Sequence, residues 1–452
     1  MLKNYFKVAF RNLIKYKSIS LINIAGLSFG LAVVMVVFLN AHFQLSFDNC
    51  HEKLNRIYYA KMGSVYATPT ALADYVRENI PEVENSVRFE DWNGRKVLLT
   101  YNNQSFIVRN IIFTDPSVFD VFSFHIIAGD AHHALTQPYS LVLSESEARK
   151  LFGSENPIGK VVRYNTEHDY TVTAIVEDRP ANASHVYSGF ASYNEPEKLS
   201  QDWDGWYYDT YFLLAENQEV IDVEKKIKSL VKQFFIEQGA TDAANNYPVG
   251  LLPMKDVYFN LELTGKYLHG NKQVVYLFLA VGLFILCLAI LNYVNLTTAR
   301  ASTRLKEITI RKTIGSRKRQ LVIQFLFESV LLSLAAAGFG ILLLELSLPF
   351  VNRFTVSAIP FSPFNNPFLL LLIFGSAILV GCLAGILPSF YLTGIVTARA
   401  LKGAALQKGK GLNLRKALIV FQFSVSIILL VATLTIMKQR SFIQNKDLGF
   451  DK

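Results

Sequence analysis

The chain has 452 residues, a formal net charge of +9, 51% hydrophobic and only 18% charged residues, and a mean hydropathy of +0.26. Soluble domains of about 150 residues each would be more polar, so the composition excludes a purely soluble chain. The charge is segregated: 44–272 hold 21 Lys/Arg against 31 Asp/Glu, whereas 1–18, 299–320 and 393–416 together hold 19 Lys/Arg and one acid, which marks the basic residues as topology signals beside apolar runs and argues against a nucleic-acid partner.

Residues 1–18 alternate apolar and basic at helical spacing. Tyr5, Phe6, Ala9, Phe10, Leu13 and Ile14 fall on one side, and Lys3, Lys7, Arg11, Lys15 and Lys17 largely on the other. This reads as a cytoplasmic amphipathic helix lying on an anionic leaflet; the plainer alternative is the positive start of the first span, and both place the N-terminus inside. Residues 19–43 are a first span, long enough for a ~30 Å hydrocarbon core. Gly26 and Gly30 form a small-xxx-small pair that permits close helix packing.

One span precedes 44–272, so this hydrophilic region is expected outside. It reads as an α+β domain: a helix over Pro69–Ile80, strands across Lys96–Phe113 with a turn at Asn102-Asn103, and strands at Tyr170–Val176 and Thr210–Leu214. A helix over Ser144–Phe152 carries a Ser144/Glu147 capping box and stops at Gly153. Another helix is expected over Val220–Gln238. A second span, 273–297, returns the chain inside, to a basic cytoplasmic segment, 298–320. The third span, 321–350, leads to a short outer loop, 351–367, with one basic residue, Arg353. The fourth span, 368–392, carries a second close-packing pair, Gly381 and Gly385, and Pro388, expected to kink or end the helix. A basic cytoplasmic linker, 393–416, and a fifth span, 417–437, follow. Residues 438–452 read as the start of a second extracytoplasmic region. Leu414-Arg415-Lys416-Ala417 echoes Phe10-Arg11-Asn12-Leu13 ahead of the first span, so a second copy of the unit is expected to begin here.

The basic segment holds eight Lys/Arg and one acid, Glu307. Topology alone would need only the charge. The segment also places apolar anchors at Leu305, Ile308, Ile310 and Ile314, lets Glu307 pair with Arg311 at i,i+4, and supplies a stop at Gly315. A short amphipathic helix beneath a membrane serves something soluble, and it is read as a docking helix.

Other chemistry is thin. Gly403 and the Gly409-Lys410-Gly411 string have five residues between the glycines, one more than a phosphate loop, with no Ser/Thr after the Lys and no preceding strand. No G-x-S-x-G occurs in 44–272. His125, Asp130, His132 and His133 lack ligand spacing, so neither a metal nor a cofactor is expected, and no catalytic residue. Cys287 and Cys382 lie in apolar runs, and Cys50 is alone in the hydrophilic region. Within the third span, Glu328 is expected to snorkel toward a Lys/Arg at the inner face, and Glu345 to lie near the outer interface.

Several long strings resemble the MacB/FtsX-like superfamily of ABC transporter permease subunits, in particular its tandem-repeat bacterial members. FKVAFRNLIKYKSISLINIAGLSFGLA is similar to their opening helix and first span. FDNCHEKLNRIYYA, IPEVENSVRF, FTDPSVFDVFSFHIIAGD, LVLSESEARKLFGSENPIGK and YTVTAIVEDRPANASH are similar to their outer domain. LKEITIRKTIGSRKRQLVIQFLFES resembles their coupling-helix signature, and GILPSFYLTGIVTARALKG the end of their fourth span. The similarity runs over nearly the whole chain, in order. The fifth span departs from four-span members and places the chain as a first half plus the start of a second.

The resemblance implies a helical membrane protein of about five transmembrane helices with a large α+β domain of the MacB periplasmic-core type, in a bacterial inner membrane with its N-terminus cytoplasmic. It implies a separate cytoplasmic ABC ATPase, bound at Arg304, Glu307, Ile308, Arg311, Lys312 and Gly315, whose closure is transmitted to the outer domain to export an amphiphilic substrate. The other reading is a non-transporting FtsX-like regulator of a cell-wall hydrolase. A periplasmic adaptor or outer-membrane channel, and a dimer or pseudo-dimer of four-helix units, belong to the same expectation. Relatives handle peptides, lipoproteins and macrolides, and no motif here chooses among them.

Overall fold

The computed structural model describes residues 2–63, 65–90, 94–195, 199, 201–263, 268–299, 308–355, 367–394 and 410–445. Two compact units emerge: His42–Val275, and Met1–Ala41 with Tyr276–Lys452.

In His42–Val275 the described strands form one sheet. They are β1 (Ile57–Met62), β2 (Thr68–Pro69), β3 (Val83–Glu90), β4 (Lys96–Tyr101), β5 (Gln104–Arg109), β6 (Ile111–Thr114) and β7 (Ile126–Gly129). After them come β8 (Ser140–Ser144), β9 (Val161–Tyr164), β10 (His168–Val176), β11 (Gly189–Ser192), β12 (Trp206–Leu214) and β13 (Val249–Pro253). The order is β13-β1-β12-β3-β6-β11-β8-β10-β9-β4-β5, with β2 on β12 and β7 on β10. β6·β11 and β8·β10 are parallel; the remaining pairs are antiparallel.

Local chemistry explains the elements. Asn102 and Asn103 both have positive φ, 47° and 61°, which a two-residue hairpin of type I′ requires, and Tyr101 pairs with Gln104 across it. The helix Glu145–Phe152 starts where Ser144 Oγ accepts from the Glu147 amide at 3.4 Å and ends at Gly153, φ 62°. The expected helix at Pro69 begins only at Leu72, because Thr68 and Pro69 pair with Tyr208 and Trp206 as an edge strand. In Val220–Glu237, Val223, Ile227 and Val231 recur every four residues and are buried against Met62, Phe212 and Val249.

Two polar contacts cross this domain's interior. Arg88, 4% exposed, donates from Nε and Nη2 to the two oxygens of Asp115 at 2.9 and 2.6 Å, from its main-chain N–H at 2.8 Å, and from Nη1 to the Thr70 carbonyl. Asp48 accepts from Ser184 twice, from the amide at 2.7 Å and the hydroxyl at 2.6 Å. Burial raises the Asp48 pKa against those hydrogen bonds.

The other unit contains the five helices long and apolar enough to cross a membrane: Lys17–Leu45, Lys272–Ala299, Lys318–Thr355, Pro367–Gly394 and Lys410–Asn445. They are called helices M1 to M5 below. Gly30 lets M1 approach M2 so closely that a Cβ there would lie 2.7 Å from Ala289 Cβ; one at Gly26 would lie 3.5 Å from Asn292. Gly381 and Gly385 face M3, where added Cβ atoms would sit 2.7 Å from Val330 Cα and 2.7 Å from Ser329 Oγ. M4 runs through Pro388 to Gly394 instead of ending there. The hydroxyls of Ser389 and Thr393 donate back to the carbonyls of Gly385 and Ser389 along this turn. M5 buries none of its apolar window among the described residues.

The N-terminal helix, Leu2–Lys15, divides its apolar stripe. Ala9 and Asn12 are buried, and this helix packs on M3, while Phe6, Phe10 and Ile14 stay exposed.

Candidate docking site

The centre of the basic segment is a short helix, 308–313. It closes with paired main-chain bonds: the Gly315 amide donates to the Lys312 carbonyl at 3.1 Å and the Ser316 amide to the Arg311 carbonyl at 2.9 Å. This is the Schellman arrangement, which needs a left-handed residue after the last turn. Gly315 supplies it with φ 102°; a side chain there would be strained.

The helix splits its surface. Ile308, 3% exposed, and Thr309 face inward, whereas Ile310 is 59% and Ile314 81% exposed. Arg311 and Lys312, which the resemblance implies as part of the ATPase-coupling site, point back into the bundle. Arg311 Nη1 donates to Gln324 Oε1 on M3 at 2.5 Å, and Lys312 Nζ donates to the Thr393 carbonyl in the last turn of M4 at 2.9 Å. The last carbonyls of a helix lack partners within it, and a lysine placed there satisfies one and complements the helix dipole. Arg304 and Glu307, and with them the proposed Glu307–Arg311 pair, lie outside the described residues. So do most of 393–416 and the end of the chain from 446.

A second polar layer lies beneath. Glu328, 8% exposed, accepts from Asn12 Nδ2 at 3.4 Å. The Tyr293 and Ser329 hydroxyls are 2.7 Å apart, and the Ser333 hydroxyl donates to the Ala377 carbonyl at 2.7 Å. Sequence reading missed Gln324, Asn12 and Thr393. The available signal was polarity in an apolar stretch, but only packing shows which face each occupies. Glu345 is exposed.

Elsewhere, His133 Nδ1 lies 2.6 Å from Asp130 and His132 Nδ1 3.7 Å from Asp120, all exposed. Among the described residues no three His, Cys, Asp or Glu are grouped to hold a metal ion.

Two family models match the chain: the MacB-like periplasmic core domain over 20–230 and the FtsX-like permease C-terminal domain over 279–396. The macrolide export ATP-binding/permease protein MacB of Mannheimia succiniciproducens is 23% identical over 300 residues, 65% of this chain and 43% of that protein. Its namesake from Aggregatibacter actinomycetemcomitans is 25% identical over 54% of this chain and 36% of that protein. The chain thus spans less than half the length of these curated relatives. Among solved structures, a permease-protein domain from Porphyromonas gingivalis aligns with 50% of this chain and 97% of itself at 21% identity and a TM-score of 0.41. The periplasmic region of MacB from Actinobacillus actinomycetemcomitans aligns with 45% of this chain and 90% of itself at 15% identity and a TM-score of 0.34. Five apolar helices with a domain of the periplasmic-core family make this chain a multi-pass membrane protein with an extracytoplasmic domain.

Proposed function

Because the chain belongs to the MacB/FtsX-like family of ABC transporter permeases, we propose that it is the membrane subunit of an ATP-driven exporter or mechanotransmitter, powered by a separate cytoplasmic ATPase that docks on 308–316. The N-terminus, the docking segment and 393–416 then face the cytoplasm, and 44–272 the periplasmic side of a bacterial inner membrane. The relatives are named for macrolide export and for ATP binding; an amphiphilic cargo for this chain is an extension of that likeness.

The observation that carries the reading is the split surface of 308–314. Ile310 and Ile314 are exposed while Arg311 and Lys312 are tied to M3 and M4. An apolar knob held by polar struts suits force transmission: the partner grips the isoleucines, and displacement reaches two spans through hydrogen bonds. The close contacts at Gly30, Gly381 and Gly385 support the same reading, since packed helices move as units.

The test replaces the exposed residues and leaves the struts. In Ile310→Asp/Ile314→Asp, a co-expressed phosphate-loop ATPase should no longer co-purify, with membrane insertion and thermal unfolding unchanged. Undiminished co-purification would overturn the docking claim.

A further inference from the structure

We infer that the cleft between the N-terminal helix and the 308–313 helix binds the phosphate headgroup of an anionic lipid. The cleft has a volume of about 620 Å³, the size of a small-ligand site. Arg11, Lys15 and Arg311 line it with cations, Tyr16 adds a phenol, and Ile14 and Ile310 form apolar walls; none of its described lining residues is Asp or Glu. Arg11 and Lys15 are one helical turn apart and exposed, so both reach the opening.

Three features favour a lipid over a soluble anion. First, the apolar wall continues outward: Ile14 leads to exposed Phe10 and Phe6, whose rings stack with centroids 6.2 Å apart. This is a path for acyl chains beside a cationic pocket. Second, a helix with one basic and one apolar side settles at the boundary between headgroups and chains, which is the depth at which a lipid phosphate lies. Third, the walls are held in place before any ligand arrives. Asn12 is anchored to Glu328, and Arg311 to Gln324, both on M3. A pre-set pocket loses less free energy on ordering when it binds. The inference goes beyond the docking proposal and requires only that the spans lie in a membrane.

The test uses the full chain reconstituted in bilayers of phosphatidylcholine with brominated phosphatidylglycerol or brominated phosphatidylcholine as quencher. The substitution Ile14→Trp places a fluorophore on the cleft wall, and the unsubstituted chain provides the background from Trp92, Trp203 and Trp206. Quenching of the added tryptophan should favour phosphatidylglycerol by about tenfold, since each basic residue at an anionic surface contributes several-fold to binding. The preference should fall to within about twofold in Arg11→Gln/Lys15→Gln, with unchanged thermal unfolding, whereas a tryptophan at Leu379, exposed on M4, should show none in either background. Equal quenching by the two lipids at position 14, or a preference that survives the double substitution, overturns the inference. If there is no lipid preference but Arg11→Gln/Lys15→Gln releases the co-purified ATPase, the cleft is instead part of the protein docking surface. Ile314 does not line the cleft, so Ile314→Asp alone reports on docking, and the two proposals fail separately.

Discussion

Lys312 Nζ donates to the main-chain oxygen of Thr393 at 2.9 Å, so the 308–313 helix caps the C-terminal turn of M4. The side chain belongs to one element of the basic segment and its acceptor to another span, and neither position predicts the other.

Replacing Lys312 with Met should therefore act as the loss of a cap and not as the loss of a docking charge. About 1 kcal/mol of stability is expected to go, read as a lower unfolding midpoint of the detergent-solubilised chain. Co-purification of the ATPase should persist, and stimulation of its activity should drop. Lys312→Arg should restore most of both. Loss of co-purification in Lys312→Met would place the lysine in the partner's contact instead.

The glycines of M4 give an internal control. At Gly381 an added Cβ meets Val330 backbone at 2.7 Å, whereas nothing lies within 4 Å of one at Gly375 in the same helix. Gly381→Ala should destabilise the helix pair by about 1–3 kcal/mol. Gly375→Ala should be neutral or slightly stabilising, because alanine favours the helix. Equal midpoints for the two variants would contradict the close approach of M3 and M4.

Asp115 is the partner of a nearly inaccessible guanidinium, Arg88. Removing it leaves Arg88 with Asp74, 3.1 Å from Nη1, as its remaining carboxylate, so Asp115→Ala should cost about 1–3 kcal/mol in the outer domain. The natural tryptophans, all three of them in 44–272, report this in a urea titration followed by fluorescence. A shift below about 1 kcal/mol would mean that the pair is solvent-screened.

His51 gives a pH signature. It is buried with its ring 5.0 Å from Phe122 and 5.3 Å from Phe124. Burial, with a smaller contribution from His185, lowers its pKa to about 3. In the unfolded chain it returns to about 6.5. The unfolded state thus takes up the proton first, and the stability His51 contributes is present above about pH 6.5 and lost as pH falls toward 3, by about 1.4 kcal/mol per pH unit. Asp48, raised by burial, has the opposite sign at the acid end: its native carboxyl keeps a proton that the unfolded chain gives up. His51→Phe should flatten the fall of tryptophan-monitored stability between pH 6.5 and 5; an unaltered slope would assign acid sensitivity to other groups.

Much of the architecture was legible because its causes are local. The length and apolarity of M1 to M5, the Asn102-Asn103 hairpin and the Ser144-capped helix each depend on residues a few positions apart. The Gly315 stop is of the same kind: its motif closes within residues 311–316. Where reading failed, a distant partner had intervened. The helix expected from Pro69 starts late because β12, more than 130 residues away, claims Thr68 and Pro69.

The strings that carry the family likeness show the same division. Reading along the chain finds IPEVENSVRF and FTDPSVFDVFSFHIIAGD as separate pieces; the fold joins them through Arg88 and Asp115. It joins FDNCHEKLNRIYYA to YTVTAIVEDRPANASH through Asp48 and Ser184.

For this protein, sequence alone determined the apolar spans, the α+β outer domain, the likeness to the MacB/FtsX-like family and the place of the basic segment, since hydropathy, periodicity and turn chemistry act over a few residues. Only the tertiary structure decided the orientation of that segment. Whether Arg311 and Lys312 face a partner or brace the bundle depends on Gln324 and Thr393 being within hydrogen-bond reach, and a buried polar group takes whichever partner packing provides.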